Sequence, residues 1–217
     1  LIKDLAVATP FIVEDAISFW PALGARGWSD LEYLRETVGH HRLVPVELGS
    51  AYTDSGWTQS LMPFGQFLDD IACLPKRDGQ RGYLAQHDLL AQAPKFGRDF
   101  ALPDYVLVDT GRRAAARGRT TDTDGVAFNV WLGPRGTVSP LHRDPYDNLF
   151  AQVAGHKYFK LYSPGETMNL YPHPPDSLLA NTSQVDAEAP DADLHPRAAG
   201  AHHLECIVWP GDLLYIP

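Results

Sequence analysis

Residues 148–162 read Asn148-Leu149-Phe150-Ala151-Gln152-Val153-Ala154-Gly155-His156-Lys157-Tyr158-Phe159-Lys160-Leu161-Tyr162. Leu149 to Val153 and Tyr158 to Tyr162 are short β-prone runs, and Ala154-Gly155-His156-Lys157 between them predicts a hairpin turn. Outward from this stretch, Val126 to Leu132, Leu204 to Val208 and Leu213 to Ile216 have the same character, bounded by Gly, Pro, Asn or Asp. The N-terminal half differs. Residues 13–22 predict a short helix with apolar positions at Val13, Ile17 and Trp20. Ser29-Asp30-Leu31-Glu32 reads as a capping box opening a helix that Gly39 closes. Val44 to Leu48 reads as a strand, and Pro63 fits the first turn of a helix running through Ile71. Helices followed by many short strands predict a mainly β protein with an α-helical N-terminal flank, built as an antiparallel sandwich.

The 217 residues are enough for one substantial domain with its own core. Hydrophobic content of 44% and charged content of 21% are ordinary for a globular chain, and no apolar run approaches membrane-spanning length. The net charge of −9 argues against a general nucleic-acid binder and is compatible with a cationic substrate, such as a basic peptide or an arginine side chain. Cys73 and Cys206 are far apart and match no metal spacing, so they read as reduced thiols of a cytosolic or nuclear protein. Gly111 to Gly125, with Arg112, Arg113, Arg117 and Arg119, reads as a solvated insertion more than as a nucleic-acid patch. Pro172 to Pro196 predicts a long surface loop; within it Asn181-Thr182-Ser183 matches a glycosylation sequon, which means little without a secretory signal.

Chemistry concentrates in Ser139-Pro140-Leu141-His142-Arg143-Asp144-Pro145. A His-x-Asp pair on an extended segment puts an imidazole and a carboxylate on one face, because strand side chains alternate. That is two thirds of the facial triad that holds non-haem Fe(II). By itself the pair is a weak signal, and a lone His142 would more often be a hydrogen-bonded structural residue. Asn148, Lys157 and a Gly211-Asp212 turn downstream strengthen it.

Asn129-Val130-Trp131-Leu132-Gly133-Pro134, Thr137-Val138-Ser139-Pro140-Leu141-His142-Arg143-Asp144, Asn148, and Gln152 through Tyr158 together resemble the JmjC oxygenases. The resemblance extends to Val44-Pro45-Val46-Glu47, Tyr52-Thr53-Asp54, Trp57, Gly82 through His87, Asn181 through Asp186 and Pro210-Gly211-Asp212, and covers nearly the whole chain from about Trp20. It implies a double-stranded β-helix (a jelly roll of the cupin kind) with Fe(II), the cosubstrate 2-oxoglutarate and O₂. It also implies His142 and Asp144 as iron ligands, Lys157 as partner of the distal carboxylate of 2-oxoglutarate, and Tyr83 and Asn148 as its hydrogen-bonding neighbours. Glu47, Tyr52, Trp57, Trp131 and Ser139 match positions that line the substrate site in the family. One branch is associated with C3 hydroxylation of arginine in peptides and with histone lysine demethylation, which would place the protein in the nucleus or cytoplasm, acting on a protein or peptide substrate.

The residue types suit these roles, with blander readings beside them. Lys157 would otherwise be a solvated turn lysine, Tyr83 a core tyrosine, and Trp57 and Trp131 packing residues. Glu47 is harder to dismiss, since a carboxylate in the apolar run Leu43 to Leu48 needs a partner if buried. A carboxylate and aromatic faces suit a guanidinium, which takes forked hydrogen bonds and stacks. The family's third iron ligand, a His, is expected beyond Pro217. The chain begins at Leu1 and stops inside a strand pair, and so reads as an excerpt truncated at both ends. His173, His195, His202 and His203 sit in contexts that make poor substitutes. A methyl-lysine demethylase, a non-catalytic JmjC-like binding module and a cupin metalloprotein without 2-oxoglutarate are the competing readings.

Overall fold

In the computed structural model, which describes residues 9–72, 82–107 and 126–217, alternating side chains organise a four-stranded sheet. Strand β2 (Leu43–Leu48) pairs antiparallel with β3 (Thr58–Pro63) and with β4 (Gly82–His87), which in turn pairs with β5 (Val130–Leu132). Val44 and Val46 of β2 and Leu84 of β4 face helix α1 (Leu31–Val38) and helix α2 (Phe64–Ala72). There they pack with Leu34, Val38, Phe64, Phe67 and Leu68, all nearly inaccessible. Period-two geometry sends their neighbours the other way. Glu47 lies opposite Tyr83 in the register, so this sheet has one apolar face on the helices and one face carrying chemistry.

The second sheet has the order β1 (Phe11–Val13), β9 (Leu213–Ile216), β6 (Asn148–Ala151), with β9 in the middle. Strands β7 (Lys157–Tyr162) and β8 (His203–Val208) form a separate antiparallel pair. A short helix, α3 (Leu89–Gln92), is capped by the Asp88 side chain. No helix among the described residues is long and apolar enough to cross a membrane.

Several expectations need correction. Residues 13–22 do not form a helix: β1 ends at Val13, turns follow, and one 3-10 turn spans Pro21–Leu23. Tertiary bonds capture the backbone instead. Asp15 has φ +53°, its N–H donates to Asp212 Oδ1 (3.2 Å), and the Ile17 N–H donates to the Gly211 carbonyl (3.0 Å). Ile17 and Trp20 are nonetheless buried, in a second cluster with Ala22 and Leu213. The cap of α1 is Asp30, which accepts from the Glu32 and Tyr33 N–H groups, and Gly39 ends the helix at φ +99°. Pro63 closes β3, and α2 starts at Phe64. Of Val126 to Leu132 only Val130–Leu132 is a strand. The turn at Gly155 (φ +67°) makes no hairpin, because β6 and β7 belong to different sheets. The stretch 172–196 is irregular as expected, but Thr182, Ser183 and Val185 within it are buried. The Arg-rich stretch 111–125 and Cys73 lie outside the described residues; Cys206 is a free thiol on β8.

A buried carboxylate joins the N-terminal helix to the segment before β5. Asp99, fully inaccessible, accepts from Trp28 Nε1 (2.9 Å) and the Tyr33 hydroxyl (2.7 Å), with the Arg26 guanidinium 3.7 Å away. Asp99→Ala would strand two half-buried donors and leave a partly exposed guanidinium without its counter-charge. It is expected to cost about 2–4 kcal/mol of stability, read by urea unfolding.

Candidate active site

The chemistry-bearing face of the first sheet looks onto β6 and β7. Tyr83 of β4 and Trp131 of β5 lie there, ring centroids 5.8 Å apart, while Leu84, Val130 and Leu132 turn to the helices. Gly133 lets the Tyr83 ring lie against the backbone, since a β-carbon there would come within 2.8 Å of it.

Lys157 enters from the start of β7. Its Nζ donates to the Tyr83 hydroxyl (3.0 Å) and lies 5.1 Å from the Trp131 ring centroid, 5.4 Å from Phe150 and 5.7 Å from both Tyr83 and Phe159. Burial lowers its pKa to about 8. Among the described residues no carboxylate lies within ion-pair distance of it. An ammonium walled by aromatic rings with no counter-charge is costly, and one carboxylate of a small dicarboxylic acid is the complement it lacks. Burial, aided by the Glu47 charge and opposed by the Ser139 side chain, raises the Tyr83 phenol to about 12. Tyr83 therefore stays protonated and can donate to the same anion.

His142 and Asp144 come together as the motif predicts. His142 Nδ1 donates to the Pro140 carbonyl (2.7 Å), which leaves the Nε2 lone pair free, 3.9 Å from Asp144 Oδ1. The other carboxylate oxygen, Oδ2, accepts from Asn148 Nδ2 (3.1 Å), a contact the sequence reading did not include. Both side chains remain open to solvent. Two donors are thus oriented into one space, as two corners of a facial metal site require. Among the described residues no group of three His, Cys, Asp or Glu side chains converges to hold a metal. His195 instead packs edge-on against Tyr171 (4.8 Å), and His203 packs on Tyr162 (5.3 Å).

Of the proposed substrate residues, Glu47 and Trp57 line a shallow, solvent-open cleft, while Tyr52, Trp131 and Ser139 do not. The lining of the cleft includes Glu47, Ser50, Trp57, Tyr83, Thr137 and Val138. Burial raises the Glu47 pKa. The Trp57 side chain works the other way, although its buried Nε1 makes no well-formed hydrogen bond. Tyr52 is raised too, by burial and by the charges of Asp144 and Glu47, and its hydroxyl meets Thr182 Oγ1 at 3.2 Å. Trp131 faces Lys157, and Ser139 lies beside Tyr83, so both sit nearer the cosubstrate candidates than the sequence reading placed them.

Sequence reasoning missed Phe150, Phe159 and Thr182. The first two were detectable: Phe159 shares a strand face with Lys157 two residues earlier. Thr182 gave only its place in the run Asn181 to Asp186.

Comparison with known proteins agrees with this geometry. Residues 3–217 match the family model described as a cupin-like domain. Lysine-specific demethylase 8 from Danio rerio is 45% identical over 208 residues, covering 96% of this chain and 48% of the relative. Jumonji C domain-containing protein 5 from Drosophila melanogaster is 40% identical over 218 residues, covering 99% and 51%. The human bifunctional peptidase and (3S)-lysyl hydroxylase JMJD7 is 29% identical over 239 residues, covering 96% and 70%. The chain spans about half the length of the first two of these relatives. Enzymes of the JmjC type are Fe(II)-, 2-oxoglutarate- and O₂-dependent oxygenases. With a mostly antiparallel β architecture, a paired His142 and Asp144 and a match across almost every residue, the chain belongs to the cupin-like family and, within it, to the JmjC domains.

Proposed function

We propose that this chain forms a single oxygenase domain that hydroxylates an arginine side chain in a protein substrate. When bound, Fe(II) with 2-oxoglutarate and O₂ supplies the oxidation: one oxygen atom goes to a substrate C–H bond and the other to succinate as CO₂ leaves. The protein's residues do the rest. His142 and Asp144 would hold the metal, with Asn148 fixing the carboxylate. Lys157 and Tyr83 would clamp the far carboxylate of the cosubstrate, their aromatic surroundings excluding water.

The observation that carries the arginine reading is Glu47: a carboxylate on the cleft face, its pKa raised by burial, and without an ion-pair partner among the described residues. A guanidinium would restore its charge and donate two parallel hydrogen bonds to it, with Trp57 alongside for stacking. The name of the Danio rerio relative favours a second reading, removal of methyl groups from lysine.

The experiment is mass spectrometry of basic peptides incubated with the intact protein, Fe(II), 2-oxoglutarate and ascorbate. Gain of one oxygen on arginine supports the proposal. Methyl loss from lysine with release of formaldehyde moves the function to demethylation. Absence of both, with no succinate formed, leaves a binding module. In the first case Glu47→Gln is expected to lower kcat/KM for the arginine peptide about 10–100-fold, since a charged hydrogen-bond partner is lost. Succinate formation without peptide should remain unchanged.

A further inference from the structure

The segment that carries His142 is not held by a neighbouring strand of either main sheet. Residues 141–143 pair instead with 181–183 of the irregular stretch. The Arg143 N–H donates to the Asn181 carbonyl (2.9 Å), Asn181 Nδ2 donates back to the Arg143 carbonyl (3.2 Å), and the Ser183 N–H donates to the Leu141 carbonyl (2.8 Å). His142 and Thr182 stand opposite one another in an antiparallel bridge.

Thr182 is 1% exposed, so its hydroxyl has little access to water and depends on protein partners. It meets the Tyr52 hydroxyl at 3.2 Å and lies 3.3 Å from Asn181 Oδ1. Tyr52 belongs to the connection between β2 and β3, which also supplies Ser50 and Trp57 to the cleft. A single buried side chain therefore touches the cleft loop, while the backbone on either side of it, at Asn181 and Ser183, braces the segment that bears the candidate metal ligand.

We propose that Thr182 is a positioning residue that couples the cleft loop, through Tyr52, to the His142 segment, so that ordering the loop on substrate also orders the metal-holding strand. The proposal rests on the oxygenase reading for its functional consequence, but the mechanical link stands or falls without it. Firm coupling keeps oxidation of cosubstrate tied to the presence of substrate. A loosened link lets cosubstrate be consumed with no substrate oxidised.

The test has two arms, both on the intact protein. The first is amide hydrogen exchange with no ligand added. The Arg143 and Ser183 amides, which make the bracing bonds, are the reporters. Thr182→Val keeps the branched shape and removes the hydroxyl. It should speed exchange at both amides roughly threefold to tenfold, the range expected for losing one hydrogen bond from a local opening equilibrium. Tyr52→Phe, distant from both amides in sequence, should do the same. The double variant should be no faster than either single one, and Thr182→Ser should behave as wild type. If Tyr52→Phe leaves Arg143 and Ser183 unchanged, or the two substitutions add, the coupling is wrong.

The second arm compares succinate formed with peptide oxidised. Thr182→Val should raise that ratio severalfold, and Thr182→Ser should restore it. A proportional loss of both products would mean a merely structural role and would overturn the functional half of the proposal. Wild-type protein that forms no succinate while the exchange result holds would sink the oxygenase reading and leave the link intact.

Discussion

Replacing His142 with alanine is expected to reduce 2-oxoglutarate turnover by more than ~100-fold, the scale on which even indirect supports of a metal site act. The imidazole is set for one job. Its Nδ1 proton is taken by the Pro140 carbonyl, so Nε2 alone is presented, beside Asp144 Oδ1. Alanine leaves only Asp144 Oδ1 of the two donors that this segment supplies, which loosens the hold on a metal that must keep open positions for cosubstrate and O₂. The side chain is 28% exposed and joins no core cluster, so unfolding should shift by less than about 1 kcal/mol. Measuring succinate release and bound iron on the same preparations separates the two effects. Full activity in a folded His142→Ala protein would remove His142 from the metal site.

Lys157→Met is expected to change cosubstrate affinity and stability in opposite directions. Loss of the ammonium should weaken 2-oxoglutarate binding by about 2–5 kcal/mol, at least ~30-fold, as for breaking a desolvated charge pair. The ligand-free protein should become more stable at neutral pH, because a buried cation without a counter-charge is replaced by an apolar chain among aromatic rings. The pH dependence gives the sign. The folded pKa is lowered to about 8 from 10.5. Below about 8 the lysine is charged in both folded and unfolded chains, and the cost of burying it is fully present. Between these values the unfolded chain holds the proton that the folded chain releases, so stability rises with pH. The whole difference is about 3 kcal/mol, and Lys157→Met should lack this component of the rise. Cosubstrate affinity in the wild type should fall about tenfold per unit above pH 8, since binding needs the charged form. Calorimetric titration of 2-oxoglutarate across pH 7–10 checks this, and a flat profile would mean that Lys157 does not meet the cosubstrate.

The fold class was legible in the sequence, and so was the closeness of His142 to Asp144, while the surroundings of the other candidate residues were not. His142 and Asp144 are two residues apart on an extended segment, so their convergence depends only on local geometry. Lys157 was singled out through the family resemblance alone, and the reason for its depressed pKa was not readable: the rings around it come from β4, β5, β6 and β7, joined only by folding. Strand positions from β6 onward were right to within a residue or two at either end because short β-branched and aromatic runs are locally marked. The N-terminal error has the converse cause. Val13, Ile17 and Trp20 have helical spacing, but Gly211 and Asp212 at the far end of the chain claim the N–H groups a helix would use. Strand β3, with Gln59 and Ser60 among its residues, has little apolar alternation and is held by its pairing with β2.

The place of β9 between β1 and β6 has a consequence for biosynthesis. Phe11 faces Tyr215 across one pair and Asn148 faces Ile216 across the other. A nascent chain leaves the ribosome N-terminus first. Both flanking strands therefore emerge before the strand that joins them exists, and their edges stay open until it follows. Pairing between strands about 200 residues apart also makes folding slow. The cleft face, built from β2 and β4, must wait for β9 to be synthesised before the wall bearing Asn148 locks into place, and chaperones have the whole of that interval in which to act.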